Sequence, residues 1–144
     1  MLKSRTATVL GAVAAATMLT ITTASAADGH QHATAVAGPE WDEFMCDDAV
    51  GARACFFHDG DWFSIEDRYK DGNSAVVKWK ISTSYNGPAV RSGYIWNTSG
   101  YDTVRYMNKD FPELYDVFFY ACEGNWSTKK IISGSCGTGQ SGLA

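Results

Sequence analysis

The stretch AVVKWKIS, residues 75–82, decides the expected fold of the chain. Its odd-numbered positions, from Ala75 to Ile81, are all apolar, whereas Lys78 and Lys80 occupy even-numbered positions. Successive side chains of a β-strand point to opposite faces of the sheet. The alternation therefore predicts a strand whose odd-numbered side chains lie in a core and whose lysines lie on the other face.

Outward from this stretch, the sequence continues as short β-prone runs separated by turn dipeptides such as Asp-Gly, Asn-Gly and Ser-Gly, which tolerate the positive φ of tight hairpins. No window carries a sustained helical period of apolar residues. Seven strands in this arrangement predict an all-β fold, a small antiparallel sandwich or barrel. The predicted strands are residues 52–57, 62–67, 75–82, 91–97, 103–107, 116–122 and 127–132.

Two of these runs also indicate how their faces are used. Residues 116–122, DVFFYAC, are apolar on both faces, which is typical of a central strand. In residues 62–67, Phe63 and Ile65 share the apolar face, and Trp62 lies on the more polar one. Trp62 is therefore predicted to be an exposed aromatic.

The first 26 residues follow the pattern of a secretory leader. Lys3 and Arg5 precede an apolar stretch shorter than the roughly 20 residues that a membrane-spanning helix needs. The small residues 24–26 form a cleavage site, although cleavage after Ala27 also fits. We expect residues 1–26 to be removed, residues 27–40 to form a flexible arm, and residues 41–144 to form one secreted domain.

Four cysteines in an exported chain of this size predict two disulfides. The favoured pairing joins Cys46 to Cys55 and Cys122 to Cys136, since each pair closes a short segment that contains a glycine turn. The alternative pairing is long-range, with Cys55–Cys122 and Cys46–Cys136.

Charge bears on the expected partners. The 144 residues contain 12 Lys and Arg against 16 Asp and Glu, for a net charge of −4. Nucleic acid and anionic membranes attract clustered basic residues, so neither is expected as a partner. Nine of the acidic residues lie within residues 42–71. Their spacing does not match a calcium loop, so we expect a solvated acidic face.

The chain shows no convincing catalytic constellation, and we expect a protein without enzymatic activity or a cofactor. One weak metal candidate lies near the cleavage site. If cleavage followed Ala27, the chain would begin with Asp28, Gly29 and His30, whose amine, amides and imidazole could bind Cu(II) or Ni(II) in a plane.

The candidate binding surface consists of the aromatic residues Trp62, Tyr94 and Trp96, which lie close to predicted turns. Tryptophan and tyrosine supply much of the binding energy in protein interfaces, and their flat rings can also contact sugars. An extracellular protein or polysaccharide is the expected partner, and the protein itself is expected to be a monomer.

Three segments carry a resemblance to known proteins: residues 55–67, CFFHDGDWFSIED; residues 71–76, DGNSAV; and residues 93–97, GYIWN. With them the chain resembles small secreted proteins of filamentous actinobacteria over about residues 46–136. This resemblance implies export and an all-β fold. More loosely, the chain is similar to microbial βγ-crystallin-like domains, some of which inhibit proteases or bind calcium. Residues 71–75 depart from the usual calcium stretch of those domains, which argues against calcium binding here.

These observations favour a secreted binding module or inhibitor that acts on another extracellular macromolecule. A structural or cell-surface protein is the alternative. A small hydrolase that uses two carboxylates is the third possibility, and it would require two acidic side chains to converge in a concave site.

Overall fold

The computed structural model describes residues 26–40 and 44–144, which form a two-layered β-sandwich. Ten strands and no helix are found among these residues. The strands are β1 (Ala26–His32), β2 (Phe44–Asp48), β3 (Ala52–Phe57), β4 (Trp62–Asp67), β5 (Ser74–Ser82), β6 (Arg91–Asn97), β7 (Thr103–Asn108), β8 (Asp116–Asn125), β9 (Lys130–Ile131) and β10 (Gln140–Leu143). The all-β prediction is confirmed, and the architecture is a sandwich and not a barrel.

The two sheets have different strand orders. The larger sheet runs β1-β6-β5-β8-β10, with the short β9 pairing with β8, and the smaller sheet runs β2-β3-β4-β7. Every pairing between these strands is antiparallel except that of β1 with β6, which is parallel. The strand β5, which carries the alternating stretch, therefore lies in the middle of the larger sheet.

The core lies between the inner faces of the two sheets, as the alternation predicts. Trp79 of β5 and Phe119 of β8 are buried from one side, and Phe56 and Phe63 are buried from the other. The ring centroids of Phe63 and Phe119 are 5.6 Å apart across the interface. Burying such aromatic side chains stabilises the fold by about 2–3 kcal/mol each.

Both disulfides follow the predicted local pairing. Cys46 is bonded to Cys55 and Cys122 to Cys136, and no cysteine in the described residues is free. Cys46 and Cys55 are opposite each other on β2 and β3. The second bond ties β8 to the segment that leads into β10.

The amino-terminal segment differs from the sequence expectation. Residues 27–40 were expected to form a flexible arm, but Ala26–His32 form β1 at the edge of the larger sheet. The carboxylate of Asp28 accepts two hydrogen bonds of 2.8 Å from the Arg91 guanidinium and a further one from the ammonium of Lys109. These interactions join segments that are far apart in sequence and hold β1 in place. The strand could therefore not be predicted from the small, polar residues of the segment itself.

Three strands in the structure were not predicted from the sequence, namely β1, β2 and β10. Each of the seven predicted strands has a counterpart, and residues 52–57, 62–67 and 91–97 match the observed bounds. The region predicted as strand 127–132 contains only the two-residue β9, because a turn follows Asn125. No helix in the described part of the chain is long and apolar enough to cross a membrane.

Candidate binding surface

The outer face of the larger sheet carries two cross-strand rows of side chains that remain open to solvent. In the first row, Tyr94 of β6, Lys78 of β5 and Tyr120 of β8 are adjacent in register. In the second row, Lys80 stands between Ser92 and Phe118. Because neighbouring strands are about 4.8 Å apart, the two tyrosines lie roughly 10 Å apart with Lys78 between them.

These rows form a shallow cleft of about 370 Å³. The loop between β5 and β6 supplies one side through Ala89. The ring of Tyr85, in the same loop, lies 5.6 Å from that of Phe118, and 68% of Tyr85 is exposed. The cleft thus combines accessible aromatic rings with a rigid floor of hydrogen-bonded strands.

Lysines supply the charge of this cleft, and none of the described residues that line it is Asp or Glu. Lys78 is exposed, and the Lys80 ammonium lies 5.0 Å from the centroid of the Phe118 ring. Neither lysine forms an ion pair with any described residue, although Arg53, Arg68, Arg91 and Lys109 all do. The nearest carboxylate along β8, that of Asp116, lies one row beyond Phe118 and outside the lining.

The other half of the same outer face is covered, and this corrects the prediction for Trp96. Trp96 is fully buried, together with Val76 and Cys122. The ring of Trp126, from the turn after β8, packs edge-on against Trp96 at 5.7 Å. Trp96 is therefore a core residue of a second, smaller cluster and not part of an exposed surface.

Two histidines of β1 complete the cover over this cluster. The indole nitrogen of Trp96 donates a 3.0 Å hydrogen bond to Nδ1 of His30. The ring of His30 also stacks on Tyr94 at 4.7 Å, and that of His32 lies 3.7 Å from Trp126. Tyr94 is thus half-buried at the border between the covered and the open half.

The third predicted surface residue, Trp62, is half-buried on the smaller sheet. It shares the outer face of that sheet with Ser64 and Glu66, as the alternation predicts. Trp62 and Tyr94 therefore lie on opposite sides of the sandwich, so the three predicted aromatics do not form one surface.

Asp28, Gly29 and His30, the weak metal candidate, all lie within β1. Asp28 is engaged by Arg91 and Lys109, and Nδ1 of His30 accepts the hydrogen bond from Trp96. A planar site of four nitrogens would need these groups and the adjoining amides to be released. Among the described residues, no group of three His, Cys, Asp or Glu side chains is arranged to hold a metal ion.

The acidic segment 42–71 is not a uniformly solvated face. Asp42 and Glu43 lie outside the described residues. Asp47, Asp61 and Asp67 are buried, which corrects the expectation for these three side chains. Their carboxylates accept hydrogen bonds from backbone amides: Asp47 from Ala121 and Gly139, Asp61 from Phe111, and Asp67 from Tyr69. They serve as acceptors for backbone N–H groups, of which those of Phe111 and Ala121 are buried.

One pair of carboxyl groups does converge, away from the cleft. Asp71 and Glu123 lie close enough for their carboxyl groups to interact, and burial together with the charges of Asp71 and Asp67 raises the pKa of Glu123. The hydrogen bonds from the backbone and side chain of Asn73 lower the pKa of Asp71. Neither carboxyl group is among the described residues that line the cleft.

Four residues of the cleft were not predicted from the sequence as part of a binding surface: Lys78, Lys80, Phe118 and Tyr120. The signal for the lysines was present, since the alternation already placed them on the face opposite the core. The pairing of β8 with β5, which brings the two aromatics beside them, is a long-range feature with no local signal.

Comparison of the chain with protein-family models, with curated proteins and with solved structures found no match.

Proposed function

We propose that this protein is a secreted, non-catalytic binding module or inhibitor that acts on another extracellular macromolecule. Its binding surface is the open cleft on the outer face of the larger sheet. The observation that carries the proposal is the combination in one cleft of accessible aromatic rings with two lysines that form no ion pair with any described residue.

These side chains contribute little to the stability of the fold and can contribute more to binding. A solvent-exposed lysine without a partner contributes little to folding, and an aromatic ring gains its full apolar burial only when a ligand covers it. Tyr120 is 38% exposed and Tyr85 is 68% exposed, so both retain surface to bury. Because β5, β6 and β8 hold the cleft in place, little ordering cost is added on binding.

Export is consistent with the covalent structure. Disulfides form and persist in oxidising compartments, and this small domain has two of them. The leader pattern of residues 1–26 supports the same location.

The test is a capture experiment with matched variants. The wild-type protein, Tyr94→Ala/Tyr120→Ala and Trp62→Ala are immobilised and exposed to culture medium and cell-wall polymers of the producing organism. The bound macromolecules are then identified and their affinities measured. We expect the double variant to lose the wild-type ligand and Trp62→Ala, altered on the opposite sheet, to keep it.

Two results would overturn the proposal. The first is that the folded wild-type protein retains no macromolecule. The second is that a captured ligand remains bound to the folded double variant but is lost from Trp62→Ala, which would place the binding surface on the smaller sheet. Thermal melts of each variant establish that it is folded before binding is compared.

A further inference from the structure

We infer that the ligand of the open cleft is an acidic polysaccharide, whose carboxylates pair with Lys78 and Lys80 while its sugar rings lie against the neighbouring aromatic side chains. This inference rests on the proposed function, since it names the chemistry of the ligand at the same site. Three features support it: the charge of the cleft, the spacing of its side chains, and the strands beneath it, which are already paired on both sides.

Charge complementarity is the first argument. The chain carries a net charge of −4, yet the described side chains that line the cleft include two lysines and no acid. Most arginines in the described part of the chain form salt bridges. Arg53 and Arg68 pair with Asp48, and Arg91 pairs with Asp28. Lys78 and Lys80 are left without a carboxylate among the described residues, so an anionic ligand would supply the missing partners.

Spacing is the second argument. Tyr94 and Tyr120 lie on either side of Lys78, each one interstrand distance away. Two aromatic side chains that can contact sugar rings therefore lie roughly 10 Å apart with a cation between them. A separation of this size is comparable to the length of a disaccharide. Lys80 lies two residues further along β5, roughly 7 Å from Lys78, and has Phe118 beside it. A chain of sugar rings bearing carboxylates can contact both rows at once.

The backbone beneath the cleft argues against a peptide ligand. Extended peptides commonly bind by adding a strand to a free sheet edge. The cleft lies over β6, β5 and β8, and each of these strands is already paired on both sides. Sugar hydroxyls need no strand edge, because the hydroxyls of Ser92, Tyr94 and Tyr120 can serve as their hydrogen-bond partners.

The overall charge argues against nucleic acid. A single strand carries one phosphate on every nucleotide, and its binding proteins present an extended basic groove. Two lysines on an acidic chain provide only a local positive patch. A polysaccharide makes most of its contact through neutral rings, so it suits aromatic side chains with few cations.

The experiment uses polymers that differ only in charge. Hyaluronan and polygalacturonate are compared with their methyl esters, which keep the sugar rings and remove the negative charge. Binding to the mature wild-type protein is measured by calorimetry at low and at physiological salt. We expect at least one acidic polymer to bind, its affinity to fall as salt is added, and its methyl ester to bind about tenfold more weakly.

Two double variants with the same change in net charge provide the control. Lys78→Gln/Lys80→Gln should weaken binding of the acidic polymer about tenfold or more. Lys70→Gln/Lys130→Gln, which removes two exposed lysines outside the cleft, should leave the affinity unchanged within about twofold.

Three outcomes would overturn the inference: neither acidic polymer binds, a methyl ester binds as tightly as its acid, or polyglutamate or oligothymidylate binds more tightly than both acidic polymers. The proposed function is judged separately, by the capture experiment and the Tyr94→Ala/Tyr120→Ala variant. Equal binding of acid and ester, lost in that tyrosine variant, would refute the acidic ligand and keep the cleft as a binding surface.

Discussion

The outer face of the larger sheet is closed at one end and open at the other, although β5, β6 and β8 build both ends. Val76, Trp96 and Cys122 form a buried row at the closed end. The next row on this face, displaced by two residues along the same strands, contains Tyr94 and Lys78 and faces solvent. What differs is the cover, because Trp126, His30 and His32 lie over the first row, whereas in the second row only Tyr94 is contacted, by the stacked ring of His30.

The comparison shows that alternation along a strand assigns a side chain to a face but does not determine its exposure. A face becomes a core wherever another segment packs on it. The closed end should therefore contribute to stability and the open end to binding, and variants at the two ends should separate these effects.

The largest effect is expected from Trp96→Ala at the closed end. The substitution leaves a cavity in the second cluster and removes the indole N–H that donates a hydrogen bond to His30. We therefore expect a loss of about 3–5 kcal/mol in the free energy of unfolding. Denaturant unfolding followed by circular dichroism measures it. Tyr120→Ala at the open end is the matched comparison and should cost about 1 kcal/mol or less. Similar losses in both variants would abolish the distinction between the two ends.

The next effect concerns Asp28, which holds the β1 cover in place. Asp28→Asn leaves the ammonium of Lys109, whose side chain is 3% exposed, without its carboxylate partner. We expect a loss of about 3 kcal/mol at neutral pH, which equilibrium unfolding can measure.

The same variant should show a defined pH dependence. Burial alone would raise the pKa of Asp28, but the hydrogen bonds from Arg91 and Lys109 outweigh it and lower the pKa below 3.8. The stabilisation by a carboxylate with a lowered pKa is complete above its unfolded-state value and is lost as the pH falls through the folded-state value. The difference in stability between wild type and Asp28→Asn should thus be constant near neutral pH and shrink below about pH 4. A difference that does not change down to pH 2 would mean that the Asp28 charge does not stabilise β1.

The sequence predicted the strands whose own residues alternate or are apolar throughout. Residues 62–67 and 91–97 matched because turns with glycine bound both runs, and the local disulfide pairing followed from short spacing. β1 was missed because its residues are small and polar and its stability comes from Arg91 and Lys109, distant in sequence.

The candidate site was harder to predict for a related reason. Trp96 occupies the face that alternation makes external, and it is buried because the turn containing Trp126, the strand β1 and Ile131 of β9 pack over it. Asp67 is a polar residue whose burial could likewise not be predicted. Burial raises the pKa of Asp67, and its carboxylate accepts a hydrogen bond from the backbone amide of Tyr69. Neither outcome can be read from local pattern, since both depend on which segment packs over a residue.

A smaller effect is expected from the disulfide at the closed end. Cys122→Ser/Cys136→Ser removes a cross-link with a sequence separation of 14 and places a hydroxyl in the second cluster, where Cys122 is fully buried. We expect a loss of about 2–3 kcal/mol in the free energy of unfolding. Cys46→Ser/Cys55→Ser, with a separation of 9 on the smaller sheet, is the control and should cost somewhat less. A loss below about 1 kcal/mol in Cys122→Ser/Cys136→Ser would show that the closed end does not depend on its cross-link.

The smallest effect on stability is expected at the open end, from Lys78→Gln/Lys80→Gln. Lys78 is exposed and forms no ion pair with any described residue, and the contact of Lys80 with Phe118 at 5.0 Å is partly solvated. The free energy of unfolding should therefore stay within about 0.5 kcal/mol of wild type, as measured in parallel denaturant titrations. A loss above about 1 kcal/mol would mean that the lysines stabilise the sheet, and any reduced binding in this variant could then reflect a disturbed fold. Unchanged stability with lost binding of the acidic polymer would separate the two ends of the face fully, because the same sheet would then carry folding energy at Trp96 and recognition at Lys78.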